Sequence, residues 1–188
     1  MIRKRERTRA KLLEAARELT REVGYEKTTM EAVARRAGMT TGAIYGNFKN
    51  RDELFVALAQ TYWPPIKPVI RKGTSFAEKM RALAEATLAA IPERAPAAVG
   101  YYAGRAYAIG HEAARARAAE ITAQSYAAGA AWLEAVADEG GLPMPADQLV
   151  VVIHALTEGL VLQRLLTPEL VPDAVFYSAF GALAGGPS

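Results

Sequence analysis

The residue types that usually perform catalysis occur in this chain without the spacing that catalysis needs. His111 and Glu112 begin like a zinc-binding His-Glu-x-x-His motif, but Arg115 stands where the second histidine is required. His154 and Glu158 are four residues apart, which provides two potential metal ligands but not a site. The sequence has no cysteine, no glycine-rich phosphate loop and no Gly-x-Ser-x-Gly elbow. It therefore predicts a protein that is not an enzyme and needs no cofactor or metal.

Positive charge is concentrated in the first third of the chain. Residues 1–60 carry 13 Lys and Arg against 8 Asp and Glu, a net charge of +5. Residues 61–188 carry 10 against 12, a net charge of −2, and the two parts sum to the overall +3. This asymmetry favours an N-terminal segment that binds a polyanion, although a solvated basic helix face explains the charge equally well.

Helices are expected along the whole chain, because apolar residues recur at helical spacing and no hairpin signal interrupts them. The first should end at Gly24, the second should begin with a capping box from Thr28 to Glu31, and Asn50 should cap the fourth, which Pro64 ends. We expect further helices at about 75–91, 96–109, 112–139, 146–166 and 172–183. The apolar segment 148–162 is interrupted by two polar residues, and we expect a buried helix rather than a membrane span.

A helix-turn-helix pattern lies within the basic segment. Ala34 is small where two helices would touch, Gly38 permits the positive φ of a sharp turn, and Ile44 fixes the second helix against the first. The motifs around this pattern follow one another in the order Gly24-Tyr25, Thr28-Thr29-Met30, Val33-Ala34, Ala37-Gly38-Met39-Thr40, Gly42, Ile44-Tyr45, Phe48-Lys49 and Glu53-Leu54.

In order and spacing, these motifs resemble the N-terminal signature of the TetR family of transcriptional regulators over about residues 8–58. The resemblance implies an all-α protein, with an N-terminal three-helix helix-turn-helix DNA-binding domain (residues 1–50) and a larger helical effector-binding and dimerisation domain (residues 51–188). It also implies a homodimer, usually a repressor. The sequence departs from the family at Gly46 and Asn47, where bulkier residues often stand, and at Arg51, where Lys is usual.

The resemblance implies that the third helix enters the major groove of double-stranded DNA. Asn47 is the best base-reading candidate, with a solvated or phosphate-bound amide as the alternative. Phosphate contacts are implied for Lys49 and for Thr28 or Thr29, although the threonines equally suit pure capping. The predicted DNA-binding residues are Thr28, Thr29, Thr40, Thr41, Gly42, Ala43, Tyr45, Gly46, Asn47 and Lys49.

The last two helices are expected to join two copies of the chain through Val152, Ala155, Gly159, Leu162, Phe176 and Phe180. The alternative is a helix buried in a monomer core. An apolar or aromatic effector is expected to bind among Tyr62, Trp63, Tyr101, Tyr102, Tyr107 and Trp132, each of which also suits plain core.

These features predict a cytoplasmic, homodimeric repressor that a small-molecule effector releases from a near-palindromic operator. The effector would act by its different affinity for two arrangements of the protein. The alternatives are a DNA-binding dimer that needs no effector and acts through partner proteins, and a helical enzyme. The sequence specifies neither the effector nor the operator.

Overall fold

The computed structural model describes residues 2–63, 65–71, 73–137 and 141–185. Within these ranges there is no β-strand, which agrees with the predicted all-α class. The helices are α1 (Ile2–Val23), α2 (Met30–Arg36), α3 (Thr41–Tyr45), α4 (Arg51–Tyr62), α5 (Phe76–Gly110), α6 (Glu112–Val136), α7 (Ala146–Leu166) and α8 (Asp173–Ala182), with a 3₁₀ turn at Pro168–Leu170 between the last two.

Local signals define the N-terminal helices. Gly24 ends α1 with φ +83°, and Gly38 forms the turn after α2 with φ +66°, as predicted. Asn50 caps α4, since its Oδ1 accepts from the Glu53 amide at 2.8 Å. The predicted cap of α2 was wrong by one residue. Thr29, rather than Thr28, has the extended backbone of an N-cap and accepts from an amide in the first turn.

The predicted break between residues 91 and 96 is absent. A single helix of 35 residues, α5, runs through Pro92 and Pro96. A proline in a helix interior lacks an amide proton and disfavours the helix, but it does not forbid one when packing compensates. Directly after these prolines, Ala97, Ala98 and Gly100 are buried, so tertiary packing stabilises the helix where local propensity is poor.

The contacts divide the chain into two units. The first comprises residues 1–64 and 92–114, and the second comprises residues 65–91 and 115–188. These units do not coincide with the expected domains, 1–50 and 51–188. Leu54, Phe55 and Leu58 on α4 are buried in the same core as the helix-turn-helix, which places that helix in the first unit.

The second unit has its own core, to which α5, α6, α7 and α8 contribute. Phe176 and Phe180 on α8 are fully buried within it. The helix α7 is long and apolar enough to cross a membrane by length and composition alone, contrary to our expectation for its central segment. Core helices of water-soluble proteins meet the same criterion when most of the helix is buried, but only 22% of the apolar window of α7 is buried within this chain, and α7 carries His154 and Glu158 at its middle. The expected burial of this helix is therefore not seen within a single chain.

Candidate nucleic-acid interface

Backbone hydrogen bonds form the turn between α2 and α3. The Met39 amide donates to the Ala34 carbonyl at 2.9 Å, and the Gly38 amide donates to the Arg35 carbonyl at 3.1 Å. Thr40 then begins α3, because its side chain accepts from the Ala43 amide at 3.2 Å. The two short helices are therefore joined in a helix-turn-helix, the arrangement that the spacing of Ala34, Gly38 and Ile44 predicted.

The inner side of α3 is anchored in the hydrophobic core of the first unit. Ile44 on α3 and Phe48, three residues beyond the end of the helix, expose 0% and 1% of their surfaces, as predicted. Burial of two large apolar side chains stabilises this short helix, which would not form in isolation.

A cation that the sequence analysis missed also holds the end of α3. Arg9 on α1 donates from Nη1 to the Asn47 carbonyl at 2.9 Å, and its guanidinium lies 4.3 Å from the centre of the Phe48 ring. The two residues of the hydrogen bond are 38 positions apart, so helical periodicity contained no signal for it.

The outer side of α3 presents most of the predicted DNA-binding residues to solvent. Tyr45 exposes 47% of its surface, Ala43 is half-buried, and Lys49 is exposed just beyond the helix. Thr29 is exposed at the start of α2. The remaining exposed members of the predicted set are Thr40, Thr41, Gly42 and Gly46. The structure therefore brings polar side chains, a ring and a cation together on one surface around α3.

Thr28 is not part of that surface. It has no exposed area, its hydroxyl donates to the Gly24 carbonyl at 2.8 Å, and that hydroxyl lies 3.4 Å from the Thr20 hydroxyl. A side chain with no accessible surface cannot bind a phosphate. Of the two predicted threonines, Thr29 alone is available for that contact.

Asn47 is turned back toward its own helix in the free protein. Its Nδ2 donates to the Ala43 carbonyl at 2.8 Å, its Oδ1 is buried, and the residue is half-buried. Pairing with an adenine requires the amide to leave this position. Base readout by Asn47 stays a prediction, and it now includes that rearrangement.

Tyr45 is paired with an acidic residue that the sequence analysis did not single out. The Tyr45 hydroxyl donates to Glu31 Oε1 at 3.2 Å. The negative charge of Glu31 raises the pKa of Tyr45, and a hydrogen bond from its own backbone amide, with a further bond from Tyr45, lowers the pKa of Glu31. At neutral pH the hydroxyl therefore stays protonated and can donate to a phosphate oxygen in place of Glu31.

The predicted dimer surface is divided between exposed and buried residues. On α7, Val152, Ala155 and Gly159 are exposed and Leu162 is half-buried, and these positions recur at the spacing of one helix face. Phe176 and Phe180 were wrongly included, because they form the core of the second unit within one chain. Val175 and Ser178 on α8 are exposed instead.

The six aromatic residues predicted to line a ligand pocket do not converge. In the first unit the Trp63 ring stacks on Tyr101, with centres 4.0 Å apart, and Tyr102 meets Trp63 edge-on at 5.6 Å. Tyr107 is 58% exposed at the end of α5.

The other two residues of that set have separate surroundings. The Tyr62 hydroxyl donates to the Glu14 carboxylate, and Trp132 packs against the core of the second unit. A shallow cleft in the first unit contains none of the six. It is lined by Thr20, Arg21, Gly24, Tyr25, Pro92, Ala95, Pro96 and Val99.

The sequence similarity of this chain to known proteins is strongest around the helix-turn-helix. Residues 12–58 match the family model for bacterial regulatory proteins, tetR family. A segment of 52 residues is 40% identical to the HTH-type transcriptional repressor Rv1474c of Mycobacterium tuberculosis and covers 28% of each chain. A segment of 51 residues is 45% identical to the HTH-type transcriptional regulator TtgR of Pseudomonas putida, and covers 27% of this chain and 24% of TtgR. The chain thus spans about a quarter of the length of the curated relatives it matches.

Solved structures resemble the fold over nearly the whole chain. The fatty acid degradation regulator FadR from Bacillus halodurans aligns with a TM-score of 0.63 at 17% identity over 95% of both chains. NalD, the secondary repressor of the MexAB-OprM multidrug efflux pump in Pseudomonas aeruginosa, aligns with a TM-score of 0.53 at 24% identity, over 93% of this chain and 92% of NalD. An N-terminal helix-turn-helix followed by a larger helical region is thus the fold of this chain.

Proposed function

We propose that this chain is a sequence-specific DNA-binding regulator of transcription of the TetR type, because residues 12–58 match the family model for bacterial regulatory proteins, tetR family. The observation that carries the proposal is the exposed outer side of α3, a helix that is anchored by Ile44 on its inner side and by Phe48 just beyond its end. A recognition helix must expose the side chains that meet base edges while its backbone is held rigidly. This helix meets both requirements.

The groups beside α3 suit the DNA backbone. Lys49 follows the helix and is exposed, and Thr29 is exposed at the start of α2, where the positive end of a helix attracts anions. Arg5 and Arg7 are exposed on α1. Phosphate contacts of this kind set the position of a protein on DNA, and base contacts in the major groove then select the sequence.

The active species in this proposal is a homodimer. The exposed side of α7 carries Val151, Val152 and Ala155, and exposed apolar surface that repeats along one helix face is typical of an interface. Two copies joined by a two-fold axis would place two α3 helices on one side of a near-palindromic operator, with half-sites one helical turn, about 34 Å, apart. Such a dimer would act in the cytoplasm, where the DNA is.

The dimer surface can be tested with one matched pair of variants. Ala155→Arg places a charge on the exposed α7 face, and we expect sedimentation velocity to give a monomer. Ala116→Arg makes the same change at an exposed position of α6 and should leave the dimer intact. Two dimeric variants, or a monomeric wild type, would contradict the proposed interface.

For the family's usual small-molecule control, the cluster of the Trp63, Tyr101 and Tyr102 rings supports an apolar or aromatic effector. An effector that binds one arrangement of the helices better would shift the population away from the DNA-binding form. The same ring contacts also suit a second candidate, an effector-independent regulator, because aromatic rings that pack against one another are also typical of plain hydrophobic core. Operator affinity that responds to no member of a broad compound panel would favour this second candidate.

The decisive experiment is selection of bound fragments from sheared host genomic DNA, at low and at near-physiological salt, followed by sequencing. We expect a near-palindromic site that persists at the higher salt, because base contacts add to the salt-sensitive phosphate contacts. The Tyr45→Ala variant provides the control, since it retains the net charge and removes an exposed ring from α3. Fragments without a shared pattern, lost equally by both proteins at higher salt, would refute sequence-specific binding.

A further inference from the structure

Arg51, the first residue of α4, is bound to the segment that connects α1 and α2. Its Nε donates to the Thr28 carbonyl at 3.0 Å, and its Nη2 donates to the Tyr25 carbonyl. Its guanidinium carbon also lies 3.9 Å from the centre of the Tyr25 ring and 5.1 Å from that of Phe55. One side chain therefore makes two hydrogen bonds to main-chain carbonyls and contacts two aromatic rings.

These contacts join the beginnings of two helices. Thr28 directly precedes Thr29, the N-cap of α2, and its amide donates to the Tyr25 carbonyl at 3.1 Å. Arg51 itself begins α4, directly after the cap residue Asn50. The start of α2 and the start of α4 lie before and after α3 in the chain, and both are adjacent to the predicted phosphate contacts, Thr29 and Lys49.

We propose that Arg51 is a positioning residue for DNA binding, which fixes the start of α2 relative to the start of α4 through the fork of its guanidinium group. This inference rests on the proposed function. It differs from the simpler role of a cation near DNA, in which only the charge of Arg51 would matter.

The chemistry of the arginine side chain distinguishes the positioning role from a role of the charge alone. A guanidinium group is planar, can donate along several fixed directions at once, and stacks on aromatic rings. Lysine keeps the charge but has one compact ammonium group, which cannot reproduce the two hydrogen bonds and the ring contacts together. Arg51→Lys therefore removes the positioning and retains the charge.

The test begins without DNA. In the full-length protein we expect Arg51→Lys to accelerate hydrogen exchange in peptides that cover residues 25–31, while peptides from α7 exchange as in the wild type. Arg115→Lys is the control, because Arg115 is exposed on α6. Unchanged exchange at residues 25–31 would overturn the inference, whatever the protein binds.

The second measurement is affinity for the selected operator and for a scrambled duplex over a range of salt. For Arg51→Lys we expect operator affinity to fall about tenfold, the size of one lost hydrogen bond to a charged group. Affinity for the scrambled duplex and the salt slope should change little, because the number of cations is unchanged. The specificity ratio therefore falls.

Two other results have distinct meanings. If Arg51→Lys binds the operator like the wild type while Arg51→Gln lowers the salt slope by about one, then Arg51 is a phosphate contact and the positioning role is wrong. If the wild type selects no DNA sequence at all, the proposed function fails. That failure is distinguishable from failure of the positioning role, because the exchange experiment reports the contact between Arg51 and residues 25–28 without DNA.

Discussion

The packing of α5 on α4 makes a sharp prediction at Gly100. A Cβ atom at this position would lie 2.8 Å from the Phe55 carbonyl oxygen and 3.0 Å from the Phe55 Cβ. Both atoms belong to or lie next to the α4 backbone, which cannot move aside as a flexible side chain can. Gly100→Ala therefore forces the two helices apart.

Two opposing terms set the magnitude. Overpacking of this kind costs about 1–3 kcal/mol, and contact with backbone places the cost in the upper half of that range. Replacing glycine by alanine within a helix stabilises the folded protein by about 1 kcal/mol through the higher helix propensity of alanine. The expected net loss is thus about 1–2 kcal/mol of unfolding free energy, which corresponds to a decrease in Tm of about 2–8 °C for a chain of this size.

Gly104, one turn further along α5, provides the matched control. A Cβ there would lie 3.8 Å from Val56 Cγ2, which is an ordinary contact. Gly104→Ala should therefore gain about 0.5–1 kcal/mol from helix propensity alone, and Tm should rise by a few degrees. Both variants should be melted at one protein concentration by circular dichroism, because a dimer melts at a concentration-dependent temperature. An equal rise in Tm for both would refute the close approach of α5 to α4.

Four further substitutions test the interface and its surroundings. Lys49→Gln should weaken binding to all DNA sequences alike and reduce the salt slope by about one, and a loss confined to one operator would contradict a phosphate contact. Asn47→Ala should relax preference at one operator position, whereas equal loss over all positions would leave Asn47 a structural role only. Thr29→Ala should lower the free energy of unfolding by about 1 kcal/mol through loss of the α2 cap, and an unchanged denaturant midpoint would contradict that cap. Burial, with a hydrogen bond to Glu14, raises the pKa of Tyr62 from 10.0 to about 12. The protonated Tyr62 hydroxyl therefore contributes its full stabilisation below pH 10, and this stabilisation is lost as the pH rises toward 12. In the Tyr62→Phe variant the free energy of unfolding should fall less steeply between these pH values than in the wild type.

The apparent similarity of two adjacent threonines illustrates what a sequence pattern leaves open. Thr28 and Thr29 have the same chemistry, and the capping-box spacing favoured Thr28. The structure buries Thr28 completely, with its hydroxyl bonded to the Gly24 carbonyl, and leaves Thr29 exposed as the cap. The decisive contact came from the turn after α1, which the local pattern did not include.

Apart from the choice between Thr28 and Thr29, the sequence alone determined the turns and caps that depend on neighbours within about one helical turn. Gly24 and Gly38 specified their turns because they tolerate a positive φ, and Asn50 specified the start of α4 because its side chain reaches an amide three residues on. The alternation of buried and exposed residues on α3 followed from the helical period. These local rules sufficed for the all-α class and the helix-turn-helix.

Only the tertiary structure decided the features that depend on residues far apart in the chain. Packing after Pro92 and Pro96 carries α5 through two prolines that should end a helix, and the second core encloses Phe176, which the sequence assigned to a dimer surface. Arg51 is 23 and 26 residues from the carbonyls that it binds. The physical reason is the same in each case: the free energy of such contacts arises from surfaces that meet only when the chain has folded, and spacing along the sequence does not encode which surfaces meet.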